Sequence, residues 1–198
     1  LVAKRSKGKS MADHFQTGVK MTGPKGKLLV ATPKLDNDMF RKTVIFCYDH
    51  TQAGSQGFVI NRPSPTTTVS KLFENNSIHN LQHTDGKLHH GGPVSERNIS
   101  MLHSGEWYSQ NTIPINKHFS VSSDTHMLEK MSMMNEPNEW MMLAGKSAWR
   151  PGQLETELEQ NCWLVLDAVP AIVYTSGTDH LWDLCVDLCS QEMINTYF

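Results

Sequence analysis

The residues of this sequence best suited to hold a metal or act as a nucleophile are ten histidines and four cysteines. Their spacing removes most of that chemistry. His89 and His90 are adjacent, so in a strand their rings point to opposite faces and cannot hold one ion together. No His-Glu-x-x-His run is present to set two imidazoles and a base on one helix face. Nor is there a Cys-x-x-Cys pair. Cys185 and Cys189 are four apart and share a helical face with Leu181, Leu184 and Leu188, the company of structural core thiols. A zinc site there would need His180 or Cys162 as well. Ser147 sits in Gly145-Lys146-Ser147-Ala148-Trp149 with no base assigned to it by sequence. The Gly-Lys-Ser triplet lacks the earlier glycine of a phosphate loop, and no Gly-x-Ser-x-Gly elbow occurs. We assign no catalytic residue, no metal ligand and no cofactor.

Three polar clusters have better chemistry. The first is Asp36 to Arg41, a turn in which acid and base can pair. The second joins Asp49-His50 to Asn61-Arg62-Pro63, at the ends of neighbouring strands. The third joins Gly91-Gly92-Pro93 to Trp149-Arg150-Pro151-Gly152-Gln153. Glycine beside proline lets a backbone approach a ligand or another chain closely. A Trp and a Gln at a helix start can stack on a planar ligand and hydrogen-bond it or an anion. The expected site is a shallow groove made by Asp36, Arg41, His50, Asn61, Arg62, Gly92, Pro93, Trp149, Arg150 and Gln153. Arg62 and Arg150 would supply positive charge, Trp149 a flat apolar face, and Asn61 and Gln153 directed hydrogen bonds. The competing expectation is that these groups fix loops and cap helices through side-chain to backbone bonds.

Such a groove needs strands and helices to hold it. Leu28–Ala31, Thr43–Tyr48 and Gly57–Ile60 are apolar, β-branched or aromatic runs ended by turn residues, hence strands. Ile99–His103, Phe119–Ser122, Trp140–Ala144, Trp163–Leu166 and Ala171–Tyr174 follow as strands. Helices are expected over Thr66–Phe73, from the Asp124 cap to about Met133, from Pro151 onward, and over Asp179–Ser190. Met127, Leu128, Met131 and Met134 form the apolar face of the second of these. Residues 74–86 read as a loop. Strands dominate without regular βαβ alternation, so a doubly wound parallel sheet is not expected and an α+β class is.

Bulk properties narrow the function. At 198 residues the chain forms one domain, residues 27–198, after a basic tail over residues 1–26 that is rich in glycine and lacks apolar periodicity. With 38% hydrophobic and 19% charged residues, it stands apart from the disordered class. No run approaches the roughly 18 apolar residues of a membrane span, and no export leader is seen; the expected location is the cytoplasm, with no membrane partner. Net charge is −2. Residues 1–27 hold seven bases and one acid, giving +6 and leaving −8 on the body. Nucleic-acid binders draw most of their affinity from a basic face, so an acidic body argues against direct nucleic-acid binding.

Read in order, several blocks resemble the AlgH/YqgE-like family. They include Gly26-Lys27-Leu28-Leu29-Val30-Ala31-Thr32-Pro33, Gly57-Phe58-Val59-Ile60-Asn61-Arg62-Pro63, Gly91-Gly92-Pro93-Val94 and Ser122-Ser123-Asp124. Ala148-Trp149 with Pro151-Gly152-Gln153-Leu154-Glu155, then Asn161-Cys162-Trp163-Leu164, complete the set. The resemblance implies an α+β fold built on a partly open β-barrel-like mixed sheet decorated with helices. It also implies a bacterial-type cytoplasmic protein described as a candidate transcriptional regulator, with no enzyme activity, substrate or cofactor attached. Two departures stand out. Many relatives carry a cysteine immediately before the acid-His pair of the second strand, where this chain has Tyr48; Cys47, one step earlier, must face the other side. A junction that is neutral in relatives carries Lys146 and Arg150 here, which biases it towards an anionic partner or adds solvated charge. The leading expectation is a non-enzymatic binding or regulatory protein for an unknown protein or small anionic ligand. The alternative is an enzyme on an anionic or nucleotide-like ligand, with His50 as acid-base and Asp49 or Asp36 orienting it. A third is direct DNA regulation with the tail as a clamp.

Overall fold

The computed structural model of the chain describes residues 23–35, 37–71, 86–174 and 180–197. The basic tail over residues 1–22, Asp36, nearly all of the 74–86 loop and Asp179 lie outside the described residues. Ten strands form one curled sheet: β1 (Lys27–Ala31), β2 (Val44–Thr51), β3 (Gly54–Val59), β4 (Pro63–Thr68), β5 (Lys87–His90), β6 (Val94–Ser104), β7 (Ile113–Pro114), β8 (Phe119–Ser122), β9 (Trp140–Trp149) and β10 (Trp163–Asp167). Among the described residues the helices are α1 (Thr125–Ser132), α2 (Gln153–Glu159), α3 (Pro170–Val173) and α4 (Leu181–Tyr197), besides a 3-10 turn at Asp38–Phe40 and helical residues at 69–71. The strand order is β10-β1-β2-β3-β9-β6-β8-β7, with the β4–β5 pair joined to β9 through β5. β5 and β9 run parallel; every other pairing among the described residues is antiparallel. The fold is the α+β, half-barrel architecture implied by the motifs.

β9 is the hinge of the curl. Its first half pairs with β5 (His89↔Leu143, His90↔Ala144) and its last residues with β3 (Ser147↔Gly57, Trp149↔Ser55), while β6 flanks its other edge. The change of neighbour falls at Gly145, whose φ of +72° suits glycine. A Cβ there would lie 2.4 Å from the Gly92 carbonyl oxygen. Gly92 is equally constrained, at φ +145° and with a virtual Cβ 2.3 Å from the Lys146 carbonyl carbon. The Gly91-Gly92-Pro93 block thus serves backbone against backbone contact with β9.

Both faces of the early strands are covered, which is why their sequences run apolar without alternation. Leu28, Val30, Phe46 and Phe58 point into the hollow of the half-barrel with Leu102 and Phe119, closed by Leu181, Cys185 and Cys189 of α4. Phe46 and Phe119 meet at 4.9 Å between centroids, and each such side chain contributes about 2–3 kcal/mol on burial. Leu29, Ile45, Cys47 and Val59 face the other way onto Trp149, Trp163 and Leu154 of α2. Met101 and Met142 pack beneath Met127 and Met131 of α1.

Several local expectations are corrected. Residues 63–68 form β4, and helix begins only at Val69: Pro63 and a run of three threonines favour extended backbone, and β5 supplies a partner. Residues 170–173 are helical, because Pro170 sits at a first helical position and that segment has no partner strand. α1 ends at Ser132 and Met134 adopts φ +59°, so Met134 leaves the helical stripe and is exposed. Leu184 of α4 is likewise exposed while Cys185 is buried. Pro151 precedes α2 rather than opening it; Gly152 intervenes at φ +76°.

Candidate functional site

Two irregular strands open a cleft of about 750 Å³ at the mouth of the half-barrel. In β2 the register passes from Cys47↔Gly57 to Asp49↔Gln56, leaving Tyr48 as an inserted residue. A bulge of this kind re-aims side chains, and consecutive Tyr48 and Asp49 both line the cleft. In β6 the register passes from Val94↔Lys146 to Ile99↔Ala144, so that residues 95–98 stand opposite Gly145 alone. That larger bulge, with Ser95 at φ +54°, carries Ser95, Arg97 and Asn98 over the cleft. Phe58, Val121, Ile113 and Leu128 supply apolar wall.

The polar floor converges on one amide. Gln56 Oε1 accepts the Tyr48 hydroxyl at 2.7 Å and Lys146 Nζ at 2.5 Å. Tyr48 also stacks on Phe58 at 4.5 Å between centroids. Burial, reinforced by the Asp49 carboxylate and the Cys47 thiol, pushes the Tyr48 phenol above its ordinary pKa, so it stays a donor. The α1 wall is set by Asp124, which accepts Ser109 Oγ and the Asn111 and Met127 N–H groups at 2.6, 3.0 and 2.7 Å. Burial alone would raise this carboxyl, but those three hydrogen bonds outweigh it and hold the pKa low. Among the described residues neither Asp49 nor Arg97 has a hydrogen-bond or ion-pair partner for its side chain.

The expected groove residues fall into two groups, at opposite ends of β3. Beyond its end at Val59, Asn61 accepts the Val44 N–H and donates to the Lys42 carbonyl, both at 2.9 Å, clamping the turn into β2. Arg62 donates to the Arg41 carbonyl at 3.0 Å. Arg62, Gly92 and Pro93 share a recess of about 170 Å³; Arg41 lines a neighbouring one of about 320 Å³ with Lys42 and Trp182. At the other end, His50, Trp149, Arg150 and Gln153 lie around Ser55. Six residues of strand, roughly 20 Å, separate Asn61 and Arg62 from His50, while Gly92 lies between them, its backbone packed on Lys146 and Ser147. Asp36 lies outside the described residues.

Trp149 offers no exposed face. It is 7% exposed, and its indole N–H donates to Glu157 Oε2 at 2.9 Å. Trp163 donates to the same oxygen at 2.7 Å, and Gln153 Nε2 to Glu157 Oε1 at 2.9 Å. Gln153 Oε1 accepts the Arg150 N–H at 3.1 Å. These residues therefore build the start of α2, the loop-fixing role weighed against binding.

His50 stands between a hydroxyl and a carboxylate: Nδ1 is 2.8 Å from Ser55 Oγ, and Nε2 is 3.7 Å from Glu155 Oε1. The second distance exceeds hydrogen-bond reach. Ser55 is 2% exposed, and none of the three lines the cavities above. Cys47 faces away from the cleft, as the one-step shift requires, and burial pushes its thiol up to about 12. Among the described residues no group of three or more His, Cys, Asp or Glu could hold a metal ion, and no helix is long and apolar enough to cross a membrane.

Lys146 and Asp49 were visible in the sequence as an unusual cation and a polar neighbour of His50. Gln56, Arg97 and Ser95 carried no signal, because the bulges that gather them depend on register.

The chain is similar to proteins across its length. The AlgH-like family profile matches residues 28–194. The UPF0301 protein SPO0296 of Ruegeria pomeroyi is 32% identical over 166 residues, covering 82% of this chain and 90% of the relative. The UPF0301 protein IL2218 of Idiomarina loihiensis is 29% identical over 164 residues, covering 82% and 89%. The solution structure of the AlgH protein from Pseudomonas aeruginosa superimposes with a TM-score of 0.71 at 28% identity, over 86% of this chain and 90% of that one.

Proposed function

The chain belongs to the AlgH-like family, and from that premise we propose that it is a non-enzymatic binding protein of regulatory type, acting in the cytoplasm, whose cleft takes a small anionic ligand. The observation that carries this reading is Lys146. Its ammonium has three N–H donors and spends one on Gln56, at the floor of a cleft that also holds the Arg97 guanidinium. A carboxylate or phosphate entering there meets two cations and the Gln56 amide. The cleft size falls within the ordinary range for small-molecule sites. Regulation would then pass through ligand-dependent contacts with a partner protein; the acidic body gives direct DNA contact little support.

The experiment is a thermal-shift and calorimetric series of carboxylates and phosphates on the wild type and Lys146→Met. A ligand at 100 times its dissociation constant adds about 2.7 kcal/mol of stability. Stabilisation of the wild type that Lys146→Met removes is the expected result. A series in which no anion stabilises the wild type, or in which Lys146→Met binds equally well, sinks the reading.

The alternative, an enzyme using His50, draws support from the His50–Ser55 hydrogen bond, although the carboxylate beside the ring is that of Glu155 and not the expected Asp49 or Asp36. It needs Glu155 to close on His50 and Ser55 to become accessible. Unchanged recovery of every bound ligand after prolonged incubation would count against it.

A further inference from the structure

The cleft is bipolar. Asp49 stands on β2, Lys146 on β9 and Arg97 on the β6 bulge, and β3 lies between β2 and β9. Asp49 is level with Gln56 and Ala148, so Asp49 and Lys146 are rooted two strand spacings across and two residues along, about 12 Å apart backbone to backbone. They do not neutralise one another, since Lys146 Nζ ends on Gln56 Oε1. Asp124 also lines the cleft, but both its oxygens are occupied by Ser109, Asn111 and Met127. One open carboxylate thus faces open cations across a floor with apolar wall beside it, from Phe58, Val121 and Ile113.

We infer that the cleft binds a short linear peptide with both ends free, its ammonium at Asp49 and its carboxylate at Lys146 and Arg97. This inference rests on the anion-binding reading above. Length follows from the span. An extended residue covers about 3.3–3.6 Å, so two or three residues reach roughly 7–10 Å. The charged ends lie closer than their roots, because Lys146 reaches back to Gln56, yet no ion pair within 4.0 Å joins them, so a di- or tripeptide suits the gap better than a single amino acid with both charges on one carbon. The apolar wall suits aliphatic side chains, and Ser95 and Asn98, which also line the cleft, offer a hydroxyl and an amide to the peptide backbone.

The test is calorimetric titration of full-length protein with the tripeptide Leu-Gly-Leu, its N-acetyl form and its C-terminal amide. Wild type, Asp49→Asn and Lys146→Met are compared. The free peptide is expected to bind the wild type. N-acetylation and Asp49→Asn should each weaken binding at least tenfold, and together no more than either alone. Amidation and Lys146→Met should form a second such pair. N-acetylated peptide binding as tightly as free peptide overturns the inference and leaves the anion reading standing. Amide binding as tightly as free peptide overturns both. No binding of the free peptide at millimolar concentration overturns the inference alone, the anion reading being decided by its own series. Should a variant fail to fold, the two modified peptides on the wild type decide between the same outcomes.

Discussion

Lys146 and Gln56, ninety positions apart, meet side chain to side chain at 2.5 Å, and Tyr48 donates to the same Gln56 oxygen. The contact joins β2, β3 and β9 at the floor of the cleft. It fixes where an ammonium can meet a ligand and keeps that ammonium from folding onto Asp49.

Gln56→Leu removes the acceptor that two donors share. Leaving partly buried donors unpaired costs about 1–3 kcal/mol. We expect a lower urea midpoint together with at least tenfold weaker anion binding, measured by calorimetry. Lys146→Met should show the binding loss with a much smaller change in midpoint, because its apolar stem is retained. Equal stability losses in both variants would mean that the contact is structural only.

Gly145→Ala and Gly152→Ala share a left-handed backbone, at φ +72° and +76°. They differ in surroundings: a Cβ at 145 meets the Gly92 carbonyl at 2.4 Å, while one at 152 meets nothing within 4 Å. Gly152→Ala should cost about 1–2 kcal/mol, the ordinary left-handed penalty. Gly145→Ala should cost clearly more and distort the β6 bulge, lowering ligand affinity as well. Chemical denaturation of the two variants side by side checks this.

Glu157→Leu strands the Trp149 and Trp163 indole N–H groups and the Gln153 amide. A loss of about 2–4 kcal/mol is expected from these donors together. Tryptophan fluorescence should shift to the red as water reaches the indoles. Ligand binding at the cleft, on the other side of the sheet, should survive below the new melting temperature.

His103 sets a pH dependence. It is fully buried, with Nδ1 2.9 Å from the Ser104 carbonyl and Nε2 2.9 Å from Ser122 Oγ. Burial lowers its pKa below the ordinary histidine value. Above about pH 6.5 the ring is neutral folded or unfolded and contributes no slope. As pH falls below that value the unfolded chain takes up a proton that the folded chain refuses, so stability is lost, by up to about 1.4 kcal/mol per pH unit, until the folded pKa is passed. The carboxyls of Asp124 and Glu106, held low in the fold, add their own loss in a more acidic window. Urea midpoints between pH 7.5 and 5 should fall in the wild type and fall less in His103→Gln.

Much of this protein was written locally. The apolar runs at 28–31, 43–48 and 57–60 are strands because covered faces on both sides require unbroken hydrophobic sequence. Asp124 caps α1 because a carboxylate there accepts the Met127 N–H. The motif blocks carried the family and with it the half-barrel. Register and backbone crossing were decided only in three dimensions. Asn61, Trp149 and Gln153 have residue types that suit a ligand, yet their hydrogen bonds close on Val44, Glu157 and Arg150. The cleft instead collects Tyr48, Asp49, Gln56, Arg97 and Lys146, brought together by one inserted residue in β2 and a larger bulge in β6. A bulge is a mismatch between two strands distant in sequence, and neither strand alone records it. Local chemistry specifies the elements, while the pairing of β3, β6 and β9 specifies which side chains share a space.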